Sequence, residues 1–417
     1  MNQYTTDTFK MKREIINFSK KLSDGLSRSD RKFHNDMTYG MLASGSCMLT
    51  DIAQKLQEDT LKINVVDRLS KHLMDGIPQK AMQNYLKMIR SWAPAEPVIF
   101  IDDSDVIKPD GYHFEALGIV RDGSKSTPEK GVFCKGYHVT EACFLTESRH
   151  PVSIFSELHS SAEKSYKSAN DMTFAAIKRG TRLFSKATYV MDRGYDDNKI
   201  FNNFTELEQD YVVRLTKKRK LFYNRKWMPA TELCAKRKGK IKTTLRYKGQ
   251  EHEAYLSHVK VQVTASKKNV YLVLVYGISE FPMMLLTNKP IKSKDDLKHI
   301  AQLYFSRWRI EEYFRAQKQI FSFENFRVRK LKAMNTLNFY IGVCMAFLGH
   351  MTQKRPTNGL LYAIIEAAAP IKAIVHFHYY RIAAGIAEIL RHAKEGVKRW
   401  FKILRPDQNQ LRLRLPA

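Results

Sequence analysis

The residues best suited to chemistry in this 417-residue sequence are carboxylates that follow short apolar runs. The run at 98–101 stops at Asp102 and Asp103, and a second run at 187–191 leads directly into Asp192. In open α/β sheets, ligands lie beyond the carboxyl ends of the strands, so two strands can deliver acidic groups to neighbouring sheet ends. Carboxylate oxygens are what a hard divalent cation binds. For each aspartate alone, the alternative is an ordinary turn after a strand.

A third candidate, Glu311, lies in a stretch with the spacing of an amphipathic helix. At about 100° per residue, three other polar residues share its face: Tyr304, Arg307 and Lys318. Glu312 points about 100° away and is expected to face solvent. A carboxylate flanked by an arginine, a lysine and a phenol suits a metal ligand among phosphate-binding donors. The alternative is a surface helix with ion pairs one turn apart.

The charge of the chain favours a polyanionic partner. Its 70 basic and 42 acidic residues give a formal net charge of +28. Such an excess repels itself in the folded state, and a polyanion both screens it and releases counterions. Nucleic acid is therefore the first candidate and an anionic membrane surface the second. The longest nearly pure apolar run, 339–349, is too short to span a bilayer, so no membrane partner is expected.

The N-terminus and the cysteines favour the cytoplasm. Residues 1–12 mix polar and charged side chains and lack the apolar core of a signal peptide. The five cysteines are scattered, with no C-x-x-C pair, so neither a zinc knuckle nor a disulfide framework is indicated. Each cysteine is expected to be a small buried hydrophobe.

Sequence periodicity divides the chain into a helical start, an α/β centre and a helical end. Residues 1–95 have helical spacing, and prolines at 94 and 97 end this region. Alternating runs at 205–290 favour a β-rich insertion, and residues from about 294 onward are mostly helical. Ser293 to Asp296 resembles a capping box for the first of these helices. The centre of the chain is predicted to contain strands at 98–101, 136–145, 152–155 and 187–191 and a helix at about 169–184.

These motifs match a known family. The spacing Tyr304-x2-Arg307-x3-Glu311-x6-Lys318 resembles the Y-R-E-K signature of bacterial insertion-sequence transposases with a DDE triad. Residues 192–196, Asp-Arg-Gly-Tyr-Asp, resemble the second-aspartate motif of that family, and residues 98–104 resemble the first. The resemblance spans about 97–320. It implies an RNase H-like core at 96–320 interrupted by the basic β-rich insertion, a DNA-end-binding N-terminal region at 1–95 and a helical C-terminal region at 321–417.

The resemblance also implies a mechanism. Asp102, Asp192 and Glu311 would hold two Mg2+ ions, for which Mn2+ could substitute. Water would free a 3′-hydroxyl at the element's end, and that hydroxyl would then attack target DNA. Arg307 and Lys318 would hold phosphates, and Tyr304 would orient the backbone near the cut. The family pattern Asp-x-Ser/Thr favours Asp102 as the first ligand. Asp103 remains an alternative, because adjacent strand residues point to opposite faces.

The implied partner is double-stranded DNA, both as terminal inverted repeats and as target. Residues 217–248 carry 13 basic residues and one acidic residue, with Lys236, Arg237 and Lys238 in consecutive positions. We interpret this run as a DNA-tracking surface, and a solvated basic hairpin is the alternative. The helices at 371–404 are candidates for pairing two protomers in a homodimer on DNA, or for simple core packing. Some relatives stack a tryptophan on a flipped base, but residues 281–288 contain none, so hairpin and nicking chemistry both stay open.

Two other functions remain possible from the sequence. One is another RNase H-like nuclease, such as a resolvase, which the Y-R-E-K face argues against. The other is a catalytically silent, domesticated DNA-binding protein, which the complete triad argues against. A strand-transfer assay separates the three functions. The transposase joins DNA ends, the nuclease only cuts them, and the binding protein does neither.

Overall fold

The N-terminal region folds into five helices before the first strand. The computed structural model describes residues 3–123, 125–127, 129–247, 250–263, 268–354, 359–369, 377–391 and 393–398. The second helix begins after Ser27, whose side chain accepts a hydrogen bond from the Asp30 amide, and it ends at Gly45 with φ 62°. Glycine adopts this left-handed conformation without steric cost. The helices are α1 (Gln3–Leu22), α2 (Arg28–Ser44), α3 (Leu49–Leu56), α4 (Lys62–Asp75) and α5 (Gln79–Arg90).

A mixed sheet forms the centre of the chain. Its first elements are β1 (Val98–Ile107), β2 (Gly118–Arg121), β3 (Phe133–Leu145), β4 (Pro151–His159), α6 (Asn170–Phe184), β5 (Thr188–Met191), α7 (Asn198–Glu206) and β6 (Asp210–Arg214). β3 pairs antiparallel with β1, β2 and β4, whereas β5 pairs parallel with β1 and β6. This arrangement is consistent with an RNase H-like fold and confirms the predicted α/β class with a mixed sheet.

β1 is longer than the apolar run indicates. We expected the strand to end at Asp102, but it continues to Ile107 because residues 102–107 keep their pairing with β3. The aspartates therefore lie within the strand and not in a turn after it. The short strand β2 at the sheet edge was not expected from the sequence.

The insertion continues the same sheet. Its elements are β7 (Lys220–Tyr223), β8 (Lys226–Pro229), α8 (Ala230–Ala235), β9 (Ile241–Tyr247), β10 (Gln250–Gln262), β11 (Asn269–Tyr276) and β12 (Met283–Thr287). β12 pairs with β6, and the order across the sheet is β2-β3-β1-β5-β6-β12-β11-β10-β7-β8, with β4 on β3 and β9 on β10. The β-rich character predicted for this part is therefore present, joined edge to edge with the central strands.

The rest of the described chain is helical. α9 (Lys294–Ser306) begins at Ser293, which forms the predicted capping box with Asp296. The helices that follow are α10 (Trp308–Ile320), α11 (Leu331–Thr352), α12 (Gly359–Ala367) and α13 (Tyr379–Arg391). Of the predicted C-terminal helices at 371–404, residues 371–376, 392 and 399–404 lie outside the described part of the chain.

By length and composition, α11 is the one helix among the described residues that could cross a membrane. Of its most apolar stretch, 83% is buried inside the protein. Met345, Phe347 and Leu348 have no exposed surface. This is the burial expected of a core helix in a folded domain.

Helices cover the two faces of the sheet around β1 and β5. On one face, Phe100 and Val190 share a buried cluster with Leu297 and Ile300 of α9. On the other, α6 approaches so closely at Gly180 that a β-carbon there would lie 2.8 Å from Ile99. The chain divides into two compact units, Ile89–Ala316 with the sheet, and Met1–Met88 with Gln317–Ala417, in which the elements of the described residues are helices.

Candidate active site

Strand alternation places Asp102 and Asp192 on the same face of the sheet. Successive strand residues point to opposite faces, so Asp102 shares the face of Phe100, and Asp192 continues the face of Val190. β1 and β5 pair parallel with Phe100 opposite Val190, so the two aspartates leave neighbouring strands at the same level. Both therefore lie on the face that α9 covers.

Arg307 joins the first aspartate to the glutamate. Its guanidinium donates to the Asp102 carboxylate at 2.6 Å and to the Glu311 carboxylate, also at 2.6 Å. The Arg307 side chain is only 12% exposed, so both ion pairs are shielded from water. A planar guanidinium can serve two carboxylates at once because its donors form a fixed fork. The structure therefore brings Asp102 and Glu311 to one guanidinium.

Arg307 lies at a break between two helices, and its side chain points toward the sheet. We expected one continuous helix through residues 304–318, but α9 ends at Ser306 and α10 begins at Trp308. At the break, the Arg307 amide bonds to the Tyr304 carbonyl and the Ile310 amide to the Arg307 carbonyl. Both are i to i+3 bonds, which tighten the helical turn.

Tyr304 links this break to the second aspartate. Its hydroxyl donates to the Asp192 carboxylate at 3.2 Å, and its ring is buried with 5% exposure. Burial first, and then the charge of Asp192, raise the pKa of Tyr304 to about 12. Tyr304 is therefore a neutral hydrogen-bond donor at physiological pH.

Negative charge is concentrated around Asp102. Burial, with added repulsion from Asp192 and Asp103, raises the pKa of Asp102 to about 7, although Arg307 opposes the rise. Burial acts to lower the pKa of Arg307, but the charge of Asp102, ahead of its other neighbours, raises it above its ordinary value. The site thus holds more carboxylates than one arginine offsets.

The three carboxylates of this site are the type of ligand that a hard divalent ion binds. Oxygen ligands from three carboxylates are what Mg2+ and Mn2+ prefer, and a dication would relieve the repulsion that raises the pKa of Asp102. Among the described residues, no three His, Cys, Asp or Glu side chains stand together in metal-ligand geometry. Arg307 occupies the position between Asp102 and Glu311.

Asp103, the alternative first ligand, points to the opposite face of the sheet. Its carboxylate accepts a hydrogen bond from the Thr140 hydroxyl at 2.6 Å. Its backbone amide donates to the Asp102 carboxylate at 3.0 Å. Asp103 therefore touches the candidate site through its backbone, while its side chain is used elsewhere.

The remaining residues of the predicted helical face have other partners. Lys318, near the end of α10, forms an ion pair with Glu324 at 3.2 Å. Glu312 forms an ion pair with Arg309 at 2.9 Å. The ion pairs of Asp102 and Glu311 are made with Arg307 and do not involve Glu312. Lys318 and Glu312 both lie on α10, and each forms an ion pair with a residue close to it in sequence.

The three consecutive basic residues differ in exposure. Lys236 is exposed and paired with Glu232. Arg237 is half-buried and donates to the His258 carbonyl at 3.0 Å, and Lys238 is exposed. Lys236 and Lys238 are therefore available to a partner at the surface, whereas Arg237 also ties the loop after α8 to β10. Lys248, the last basic residue of the run, lies outside the described residues.

Two basic residues near the site were missed in the sequence. Arg214 follows Val213, which pairs with Met191, so Arg214 ends its strand beside Asp192 and hydrogen-bonds Tyr304. An apolar run at 211–213 ending in a polar residue, as the two aspartate runs do, was the available signal. Arg219 holds Asp196 at 2.6 Å, which fastens the start of the insertion to the second-aspartate motif.

The fold and these acidic strand positions define a class of RNase H-like proteins with carboxylates gathered on one face of the sheet. Residues 94–348, more than half of the chain, match the family described as the transposase DDE domain. The chain therefore belongs to this family of transposases of mobile elements. No curated protein matches the chain. Proteins of this family act on DNA and generally use divalent metal ions.

Proposed function

We propose that this chain is the transposase of an insertion sequence, with Asp102, Asp192 and Glu311 as its catalytic carboxylates. It would bind the terminal repeats of the element, hydrolyse the phosphodiester at each end and transfer the freed strand to target DNA. The observation that carries the proposal is the double ion pair of Arg307 with Asp102 and Glu311, beside the Tyr304–Asp192 hydrogen bond. Asp102 lies in β1, Asp192 follows β5 and Glu311 lies in α10, so the three carboxylates come from elements that are far apart in sequence.

The carboxylates supply the hard-ligand part of the site. Two Mg2+ ions, or Mn2+ in their place, activate water and stabilise the leaving oxygen in such sites when bound. Asp102 would help to hold the ions together with both other carboxylates, a role supported by its position between Asp192 on the neighbouring strand and Glu311 across Arg307. Asp192 and Glu311 would each complete one ligand set.

When ions and DNA bind, Arg307 and Tyr304 would exchange their hydrogen bonds with the carboxylates for hydrogen bonds with the DNA backbone. Once the carboxylates are neutralised by bound ions, the Arg307 guanidinium no longer needs to offset them and can hold a phosphate in a bidentate contact. Tyr304, uncharged at physiological pH, can donate its hydroxyl hydrogen to a backbone oxygen near the cut. Lys318 would hold a flanking phosphate as a point charge.

DNA binding would rest on the basic surfaces. The exposed Lys236 and Lys238, with Arg237 between them, would follow the phosphate backbone. The helical N-terminal region would recognise the terminal repeats, and two protomers would assemble on the paired ends. We place the protein in the bacterial cytoplasm, at the nucleoid, in keeping with its five free cysteines.

A strand-transfer assay tests this function. The full chain is incubated with DNA carrying the inverted repeats that flank its gene, a supercoiled target plasmid and Mg2+. We expect cleavage at the repeat ends and joined products in the plasmid. Cleavage without joining would indicate a nuclease of the resolvase type. Binding without cleavage would indicate a silent DNA-binding protein.

A further inference from the structure

A chain of hydrogen bonds begins at Asp103, on the opposite face of the sheet from the candidate site. The Thr140 hydroxyl donates to the Asp103 carboxylate at 2.6 Å, and the two residues are cross-strand partners in β1 and β3. The same hydroxyl lies 2.9 Å from His159 Nε2 on β4. Three neighbouring strands are thus connected side chain to side chain behind the catalytic face.

The direction of this chain follows from the number of hydrogens. A threonine hydroxyl has one hydrogen to donate, and Thr140 gives it to Asp103. His159 must therefore donate from Nε2 to Thr140. Burial, followed by the charge of His138, lowers the pKa of His159 to about 4, so the ring is neutral at physiological pH. A neutral ring has one N–H, and this contact assigns it to Nε2.

Tyr195 brings the second-aspartate motif to the same carboxylate. It lies three residues after Asp192, in the 3₁₀ turn Arg193–Tyr195, and is 7% exposed. Its hydroxyl is close enough to Asp103 to help lower the pKa of that carboxyl, which burial raises. The hydroxyl does not reach the geometry of a full hydrogen bond to any described residue. Tyr195 therefore lies near Asp103 without a hydrogen bond that would couple the two side chains, and Thr140 is the donor that holds Asp103.

We propose that Asp103, Thr140 and His159 form a positioning network that fixes the catalytic Asp102, and that Asp103 is not a metal ligand. The inference rests on the proposed function. Asp103 acts on Asp102 through its backbone amide, which donates to the Asp102 carboxylate at 3.0 Å. A side chain bonded from β3 cannot turn to the other face without breaking these bonds.

The network predicts a specific effect of removing one hydroxyl. Thr140→Val keeps the shape of the side chain but leaves Asp103 and His159 without their shared partner. Partners of metal ligands are worth roughly ten- to a hundredfold in metal affinity or activity. We expect Thr140→Val to weaken Mn2+ binding by about tenfold and to lower kcat for cleavage. The KM for DNA should stay unchanged, and Thr140→Ser should restore both values.

Mn2+ affinity of the full chain, measured by calorimetry without DNA, provides a readout besides activity. Thr336→Val is the matched control, because this threonine is also buried and its hydroxyl bonds the Lys332 carbonyl within α11, and it should leave Mn2+ affinity unchanged. Unchanged Mn2+ affinity and kcat in Thr140→Val would overturn the network. A loss that Thr140→Ser does not restore would overturn it as well.

Two further variants keep the test decisive. If Thr140→Val does not fold, Thr140→Ala replaces it, with the same readouts and the same expected loss. Asp192→Asn separates the network from the proposed function. If Asp192→Asn binds Mn2+ as tightly as the wild type, the proposed metal site fails. If Asp192→Asn loses Mn2+ while Thr140→Val does not, only the network fails.

Discussion

The Arg307 guanidinium donates to the Asp102 carboxylate at 2.6 Å across 205 positions of sequence. Asp102 lies within a buried strand and Arg307 at the break between α9 and α10. The contact is partly buried, so its charges are only weakly screened by solvent. It ties the first candidate ligand to the helix that carries the third, and it makes Arg307 the residue whose removal is most informative.

Arg307→Ala should destabilise the metal-free protein by about 3 to 5 kcal/mol, the usual cost of leaving a buried charge without its partner. The cause is that Asp102 and Glu311 lose their shared cation. Mn2+ should recover part of this loss, because it can replace the missing positive charge. Urea unfolding with and without Mn2+ measures both effects.

Arg309→Ala is the control for that experiment, because it breaks the local Arg309–Glu312 pair on the same helix. It should cost under about 1 kcal/mol, as partly exposed pairs do. Arg307→Lys should restore little, since one ammonium cannot bridge two carboxylates as the guanidinium fork does. An Mn2+ stabilisation no larger in Arg307→Ala than in the wild type would contradict the account.

Mn2+ affinity should depend on pH through Asp102. The pKa of this carboxyl is raised to about 7 in the folded protein, so protons compete with the ion below that value. Affinity should rise by about tenfold per pH unit up to neutrality and then level off. Calorimetric titrations across this range measure the slope.

The raised pKa of Asp102 also determines the direction in which the stability of the protein changes with pH. Because the folded pKa of Asp102 lies above its ordinary value, its contribution to stability is present at low pH and is lost as the pH rises through about 7. Relative to the wild type, Asp102→Asn should therefore become more stable as the pH rises from acid to neutral, by up to about 4 kcal/mol. The variant should also bind Mn2+ weakly at every pH, because it lacks a proposed ligand. A flat wild-type profile would contradict the stability prediction.

Much of the core could be predicted because its strands are fully apolar. The runs before Asp102 and Asp192 are buried strands, and the family match covers both. The family pattern favours Asp102 over Asp103, but which of the two side chains faces α9 could not be predicted, because alternation does not tell which face a distant helix will cover. The answer lies in the tertiary packing of α9 against Phe100 and Val190.

Local irregularities were the hardest features to predict. No glycine or proline marks the break at Arg307, so the sequence favours an unbroken helix, and the break depends on contacts with the sheet. The continuation of β1 past Asp102 depends on pairing with β3, which polar residues do not signal. The strands of the insertion would have the same sequence pattern whether they formed a separate sheet or extended the central one, so the sequence could not distinguish the two arrangements.

Reversing the charge of the exposed lysines in the basic run should weaken DNA binding and reduce its salt dependence. With Lys236→Glu and Lys238→Glu together, each lost phosphate contact should lower the slope of log K against log salt by about 0.9. Arg237 is left in place because it also bonds the His258 carbonyl. Binding titrations at several salt concentrations measure the slope.

Lys164→Glu with Lys178→Glu is the matched control, because both lysines are exposed and lie outside the run. This pair changes the net charge equally and should leave the slope nearly unchanged. If the two double variants reduced the slope by the same amount, the run would be only a solvated basic surface.

Lys318→Ala should impair assembly on the DNA ends or cleavage, while Lys318→Arg should be partly tolerated, because a phosphate contact needs only a point charge. The alternative is that Lys318 serves only its ion pair with Glu324. In that case its loss would cost under about 1 kcal/mol and change no activity. Gel-shift and cleavage assays, with thermal melting, separate the two.

Glu312→Gln is the control for this experiment on α10. It removes the carboxylate that pairs with Arg309 and should cleave DNA normally. Wild-type cleavage by Lys318→Ala, at wild-type DNA affinity, would remove Lys318 from the functional site.

The most direct test of the account is the metal preference of cleavage after cysteine replaces a candidate ligand. Asp192→Cys is incubated with DNA carrying the terminal repeats, in Mg2+ or in Mn2+, beside the wild type and Asp192→Asn. A thiolate is a poor ligand for Mg2+ and a better one for Mn2+. We predict no cleavage by Asp192→Asn in either ion, and cleavage by Asp192→Cys in Mn2+ only, with DNA binding retained by both. Cleavage at the wild-type rate by Asp192→Asn in Mg2+ would contradict the account.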